Sequence, residues 1–142
     1  MNVQPYLFFN GRAEEALAFY TRAFDVRPGA LMRYADAPEP PPPGMLPPGS
    51  ENKVMHADFK VGDTTVMLSD GQCTGPVQFS GVSLAIACDS ESAARRAFDA
   101  LAAGGEVTVP LGKTFWSPCF GMLKDRFGLG WMVSLADNGG SR

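Results

Sequence analysis

The sequence predicts an α+β fold built from two βαβββ modules, each a curled mixed sheet carrying its helix on the outer face. Three observations lead there. Strand-length stretches alternate apolar and polar residues, two longer stretches carry an apolar stripe at helical spacing, and both kinds follow the same order in each half. The halves repeat at fixed offsets. Asn10 and Asp89, each just before a helical stretch, lie 79 residues apart, as do Phe19 and Phe98 within those stretches. Met67-Leu68-Ser69 and Met132-Val133-Ser134 lie 65 residues apart. The second module is the shorter one, chiefly because it lacks a proline-rich segment. We therefore expect one domain over residues 1–142, with modules of about 1–78 and 79–138 and a proline-rich loop over 36–52.

Val3, Pro5, Leu7 and Phe9 alternate with Gln4, Tyr6 and Phe8, which predicts a strand near a sheet edge. Asn10 is placed to cap the following helix, whose stripe is Ala13, Ala16, Leu17, Tyr20, Ala23 and Phe24. Arg27-Pro28-Gly29 turns the chain into a strand over 30–34. Seven of the twelve prolines then fall between Asp36 and Asn52, and so dense a run is expected to lie extended on the surface. It reads as a covering loop or, more specifically, as a docking site for a domain that recognises proline helices. Met55 to Val61 and Thr64 to Ser69 form a hairpin about Gly62-Asp63. In the second half, Val82 to Cys88 is a strand and Asp89 or Ser90 caps a helix with the stripe Ala94, Ala97, Phe98 and Leu101. Lys124 to Gly128 turns a closing hairpin whose last strand sets Leu129, Trp131, Val133 and Leu135 on its bulky face.

A formal net charge of −3 without a long basic run excludes a surface that tracks nucleic-acid phosphates. No apolar run reaches the length of a membrane span, and Met1 to Tyr6 has no basic stretch leading into an apolar one, so a cytoplasmic protein with neither membrane nor nucleic-acid partners is expected. Three cysteines without CxxC spacing fit reduced thiols rather than disulfides or a zinc site.

Several stretches in order resemble the PhnB-like branch of the vicinal oxygen chelate superfamily, which includes glyoxalases, bleomycin-resistance proteins and extradiol dioxygenases. They are Val3 to Phe9 with Ala16 to Tyr20, Met55-His56-Ala57, Val66 to Gly71, Pro110 to Trp116, and Phe120 to Gly128 with Trp131-Met132-Val133. The resemblance spans nearly the whole chain. It implies a small-molecule ligand, a homodimer, and a divalent metal held by His, Glu or Gln on the first and last strands of each module. Those positions match Gln4, Met67, Ser83 and Met132. Only Gln4 carries a donor suited to a hard metal, and shifting the register by one or two residues brings in no carboxylate or imidazole. No metal and no other cofactor is therefore expected. Members of this branch often bear a methyltransferase label, but the chain has no glycine-rich loop between a strand and a helix.

The faces opposite the helices then present Gln4, Tyr6, Thr65, Met67, Ser69, Ser83, Met132 and Ser134, with His56 and Asp58 alongside. That lining suits a small, partly apolar molecule, and with Trp116 as a wall it gives the expected ligand-binding set Gln4, Tyr6, Met67, Ser83, Trp116 and Met132. The alternative is an enzyme of the glyoxalase or lyase type. It would use a displaced metal on Gln4 and His56, or His56 itself as acid and base with Asp58 orienting the ring. The plainer reading of His56 and Asp58 is a solvated strand face, Trp116 reads also as core packing, and Cys119 reads as a buried inert thiol rather than a nucleophile, with no second histidine to activate it.

Overall fold

Two amphipathic helices and eight strands form in a computed structural model that describes residues 1–39 and 42–136. The chain divides into two compact units, Met1–Val77 and Gln78–Arg142. Residues 40 and 41 of the expected proline-rich loop, and 137 and 138 at the expected end of the second module, lie outside the described residues.

The first unit runs β1 (Tyr6–Phe8), α1 (Ala13–Phe24), β2 (Pro28–Arg33), β3 (Val54–Val61) and β4 (Thr64–Ser69), with sheet order β1-β4-β3-β2. β1 lies parallel to β4, and the other neighbours are antiparallel. The second unit repeats the plan as β5 (Ser83–Cys88), α2 (Glu91–Ala102), β6 (Glu106–Gly112), β7 (Phe120–Lys124) and β8 (Gly130–Leu135), ordered β5-β8-β7-β6. The repeat holds residue by residue. Tyr6 stands opposite Met67 in one parallel pair and Ala85 opposite Met132 in the other, which are the same offsets of 79 and 65 read in the sequence.

Strand alternation builds each core. Leu7, Phe9, Ala57, Phe59, Val66 and Leu68 are buried on the side that receives Ala13, Ala16, Leu17 and Tyr20 of α1. Tyr20 and Phe24 both stack on Phe59, at centroid distances of 5.9 and 6.2 Å. In the second unit Leu123, Trp131 and Val133 are buried with Ala94, Ala97, Phe98 and Leu101 of α2. Gly121 permits that approach, since a Cβ there would lie 2.7 Å from the Phe98 ring and 2.9 Å from the Leu111 Cα. Two of the four outer strands carry a proline, Pro28 in β2 and Pro110 in β6, where a missing N–H costs least, and both of these strands are bulged against their single neighbour.

Three expectations require correction. The first strand is shorter than its alternation suggests: Val3 is fully exposed, and pairing begins at the Pro5 carbonyl, which accepts from Met67 N–H. Asn10 does not cap α1. It takes a left-handed backbone (φ 50°), and its amide donates to the Pro76 carbonyl. The buried carboxylate of Asp70, just past β4, instead accepts from Gly11 N–H and Ala13 N–H through Oδ1, at 2.7 and 2.8 Å, and from Val54 N–H through Oδ2, at 2.8 Å. In α2 the local rule holds, because Ser90 Oγ accepts from Ala93 N–H. Lastly, the described part of the proline-rich loop is turned rather than extended. Met45 N–H bonds the Pro42 carbonyl, and the buried Ser50 hydroxyl donates to that of Pro47.

Two substitutions check this packing. Asp70→Ala strands three backbone donors and is expected to cost about 3 kcal/mol in urea unfolding, with Asp70→Asn recovering part of it. Gly121→Ala drives a methyl into Phe98 and is expected to cost about 2 kcal/mol in the same measurement.

Candidate functional site

Period-two alternation leaves each sheet a second face, and on the first unit that face is aromatic. Tyr6 and Phe8 project from β1 with their rings stacked at 5.1 Å and 19° between planes, and both are largely exposed. Beside them on β4 is Met67, directly opposite Tyr6 on one side and Asp58 of β3 on the other. The antiparallel register carries His56 onto this face and pairs it with Met32 of β2.

A continuous chain of hydrogen bonds crosses the face. Tyr6 Oη lies 3.1 Å from His56 Nδ1, and His56 Nε2 lies 3.1 Å from Asp58 Oδ2. Asp58 is anchored in turn, since its Oδ1 accepts the Ala30 N–H at 3.0 Å. A carboxylate only accepts, so Nε2 carries the proton of the neutral ring and Nδ1 receives the tyrosine hydroxyl. The anchor depends on a glycine. A Cβ on Gly29 would fall 2.1 Å from Asp58 Oδ1, so only a bare backbone lets the carboxylate reach β2.

The side chains expected from sequence sort by unit. In the first, Tyr6, His56 and Met67 share this face, and half-buried Gln4 precedes β1 by two residues. In the second, Ser83 and Met132 share the face opposite α2, where Met132 lies between Ala85 and Met122. Trp116 belongs to the loop between β6 and β7. It is more than half exposed, edge-on to Phe115 at 4.7 Å and to Phe120 at 5.4 Å, so core packing does not explain it. A hydrogen-bonded turn fixes its position, with Thr114 N–H donating to the Ser117 carbonyl at 2.8 Å.

The sequence reading foresaw that His56 and Asp58 share a face. It set Tyr6 on the same side of the sheet but missed that Tyr6, fifty residues away, hydrogen-bonds His56, and that Gly29 makes the room. A glycine placed to pair with the strand that bears Asp58 was the available signal. It also missed a cavity of about 470 Å³ between Tyr34 and the proline-rich loop, walled by Pro42, Leu46 and Pro47. None of the expected site residues lines that cavity. Nearby, Tyr34 donates to the Gly71 carbonyl, and burial pushes its phenol up, away from ionisation.

Burial raises the Cys73 thiol, with Asp70 adding to the effect, and burial likewise raises Cys88; Cys119 is buried. The positions where the superfamily holds a divalent metal offer an amide and a thioether in the first unit and a hydroxyl and a thioether in the second. Such a donor set does not fit a hard cation. His56 has both ring nitrogens engaged, so a metal displaced onto it would have to break the link to Tyr6 or to Asp58.

Residues 1–134 match the family described as 3-demethylubiquinone-9 3-methyltransferase. The chain is 31% identical to protein YjdN of Escherichia coli K12, with 95% of each covered. Among solved structures it is similar to protein PA1353 of Pseudomonas aeruginosa, at 39% identity and TM-score 0.82, covering 95% of this chain and 97% of that one. It is also similar to a Bacillus cereus PhnB protein described as a putative 3-demethylubiquinone-9 3-methyltransferase, at 32% identity and TM-score 0.78, covering 96% and 100%. A glyoxalase-related enzyme from Fulvimarina pelagi shares the fold at TM-score 0.63 and 17% identity, covering 96% and 88%. The doubled βαβββ plan and these matches together place the chain in the 3-demethylubiquinone-9 3-methyltransferase family, the PhnB-like branch of the vicinal oxygen chelate superfamily.

Proposed function

We propose that this protein binds a small, partly apolar, planar molecule on the open sheet face of its first unit without a resident divalent metal. The observation that carries the reading is the stacked Tyr6 and Phe8 platform beside Met67, bordered by the Tyr6, His56 and Asp58 hydrogen bonds. Stacked rings offer a flat surface that a planar ligand covers at low entropic cost, the thioether adapts to its outline, and the hydroxyl orients a polar group. Gln4 lies within the same stretch of chain and supplies a further amide. In the second unit, Ser83, Met132 and Trp116 are a parallel set of the same chemistry.

Methyl transfer, the activity in the family's description, is not the reading we favour. The turns from β1 into α1 and from β5 into α2 hold one glycine and none, respectively, whereas a nucleotide-derived donor is usually cradled by a glycine-rich turn. We take the working form to be a homodimer, because Val82, Val107, Phe115 and Trp116 leave apolar surface in water.

Thermal shift and native mass spectrometry against a panel of planar aromatic compounds test the proposal. A ligand at a hundred times its Kd is expected to raise stability by about 2.7 kcal/mol, and the Tyr6→Ala, Phe8→Ala double variant to lose about tenfold in affinity. Retention of nothing at micromolar concentration, or unchanged affinity in that variant, overturns it. Elemental analysis after incubation with Mn, Fe, Ni and Zn checks the metal-free part, since one tightly held hard metal per chain would refute it. Sedimentation equilibrium is expected to give twice the monomer mass.

A further inference from the structure

We infer that Tyr6, His56 and Asp58 form a proton-accepting relay, so that the first unit acts as a general base toward a ligand carrying a weakly acidic O–H or N–H. This inference rests on the proposed ligand face and assigns the chemistry of its polar edge.

The direction of the relay follows from its fixed end. Ala30 N–H and Asp58 can only donate and accept, respectively, so the carboxylate takes Ala30 N–H on Oδ1 and His56 Nε2–H on Oδ2. Nδ1 of the neutral imidazole is left as the acceptor, and the Tyr6 hydroxyl donates to it. The phenolic oxygen keeps a lone pair for a ligand. Tyr6 is therefore the group that touches the ligand, His56 holds the transferred proton, and Asp58 is a positioning residue.

The transfer is balanced within these three side chains and the ligand. As the ligand's X–H bond breaks, its electron pair stays on X and its proton bonds to Tyr6 Oη. The original Tyr6 proton moves to His56 Nδ1, and the ring becomes an imidazolium facing the Asp58 carboxylate. Tyrosine ends as it began, a neutral phenol that now donates to the new anion. The cross-strand neighbour of His56 on β2 is Met32, and β4, Thr64–Ser69, holds no charged residue, so neither brings a charge opposite the ring. From β1 the titratable group is Tyr6, and on β3 the titratable groups of this face are Asp58 and, two positions further along, the exposed Lys60, which stands beyond the carboxylate from the ring. A weak acid docked on the Tyr6 and Phe8 rings thus meets a base whose conjugate charge is compensated in place.

The test uses para-nitrophenol, whose anion absorbs visible light, and para-nitroanisole, the same ring without an acidic hydrogen. Both are titrated into the full chain a little below the pH at which free nitrophenol ionises. His56 is the chain's only histidine, so its ring ¹⁵N signals are assigned without ambiguity. In the wild type they are expected to show a protonated Nε2 and a hydrogen-bonded, unprotonated Nδ1. Bound nitrophenol is expected to be enriched in its anion by about tenfold over free probe, the factor of one charge-assisted hydrogen bond. Tyr6→Phe should bind both probes and lose the enrichment. Gly29→Ala, which displaces Asp58 while leaving all three relay groups present, should move the His56 ¹⁵N signals and diminish the enrichment. Nitrophenol bound without enrichment, or enriched equally in Tyr6→Phe, overturns the relay and leaves the ligand face standing. Failure of both probes to shift the Tyr6, Phe8 and Met67 resonances removes the ligand face, and the relay with it.

Discussion

The buried carboxylate of Asp70 holds the first unit in register. It sits at the end of β4 and accepts from three backbone N–H groups that strand pairing does not serve, two at the entry to α1 and one at the start of β3. A carboxylate out of water is tolerable only when hydrogen bonds surround it, and an orphan helix-terminal donor is tolerable only when something accepts from it. Each need meets the other here. Because β1 leads into α1 and β3 begins at Val54, the same side chain fixes the three strands that carry Tyr6, His56 and Met67. The second unit places an apolar residue, Leu135, at the equivalent position and caps its helix locally with Ser90. Its own buried carboxylate, Asp125, accepts from Phe127 N–H, Leu129 N–H and the Trp131 indole, and so holds the turn of its closing hairpin. One problem, where to place a buried charge usefully, has two solutions in one doubled fold.

The sheet face of the first unit inherits its order from that frame. Tyr6 and His56 are fifty residues apart, and a hydrogen bond between side chains on separate strands needs the strands' register fixed to within one residue, because a slip of one turns a side chain to the other face. Asp58 contributes a second constraint through Ala30 N–H, which it reaches only over the bare backbone of Gly29. An imidazole tethered at both nitrogens has one orientation rather than several. That single orientation is what the proposed relay requires of the ring.

The donor set at the matched positions bears on the proposed metal-free reading, because a fold does not fix the side chains it displays. Strand pairing keeps the offsets of 79 and 65, and Gln4, Met67, Ser83 and Met132, the positions that the resemblance matches to metal ligands, fall at those offsets. Backbone geometry does not depend on what those side chains donate. Thioethers and a hydroxyl in place of imidazoles and carboxylates leave a surface of shape and weak polarity, and affinity for hard cations falls away with the ligand charge.

The architecture was legible in the sequence because it depends on local periodicity and on a repeat: the strand and helix stripes, the hairpin turn at Lys124 to Gly128 and the shared offsets can all be read without knowing what packs on what. The shared face of His56 and Asp58 was legible for the same reason, since two residues on one strand separated by one position must project together. The capping of α1 was not. Asn10 has the right residue type in the right place, but a carboxylate sixty residues on satisfies the same donors, and the freed asparagine adopts a left-handed turn. Nor were the approach of Tyr6 to His56 and the clearance at Gly29 legible, because both lie between strands whose relative placement is set by long-range pairing. The sequence determined which residues face which way on each element; the tertiary structure alone decided which of those faces meet, because hydrogen bonds between distant strands depend on a register that no local pattern encodes.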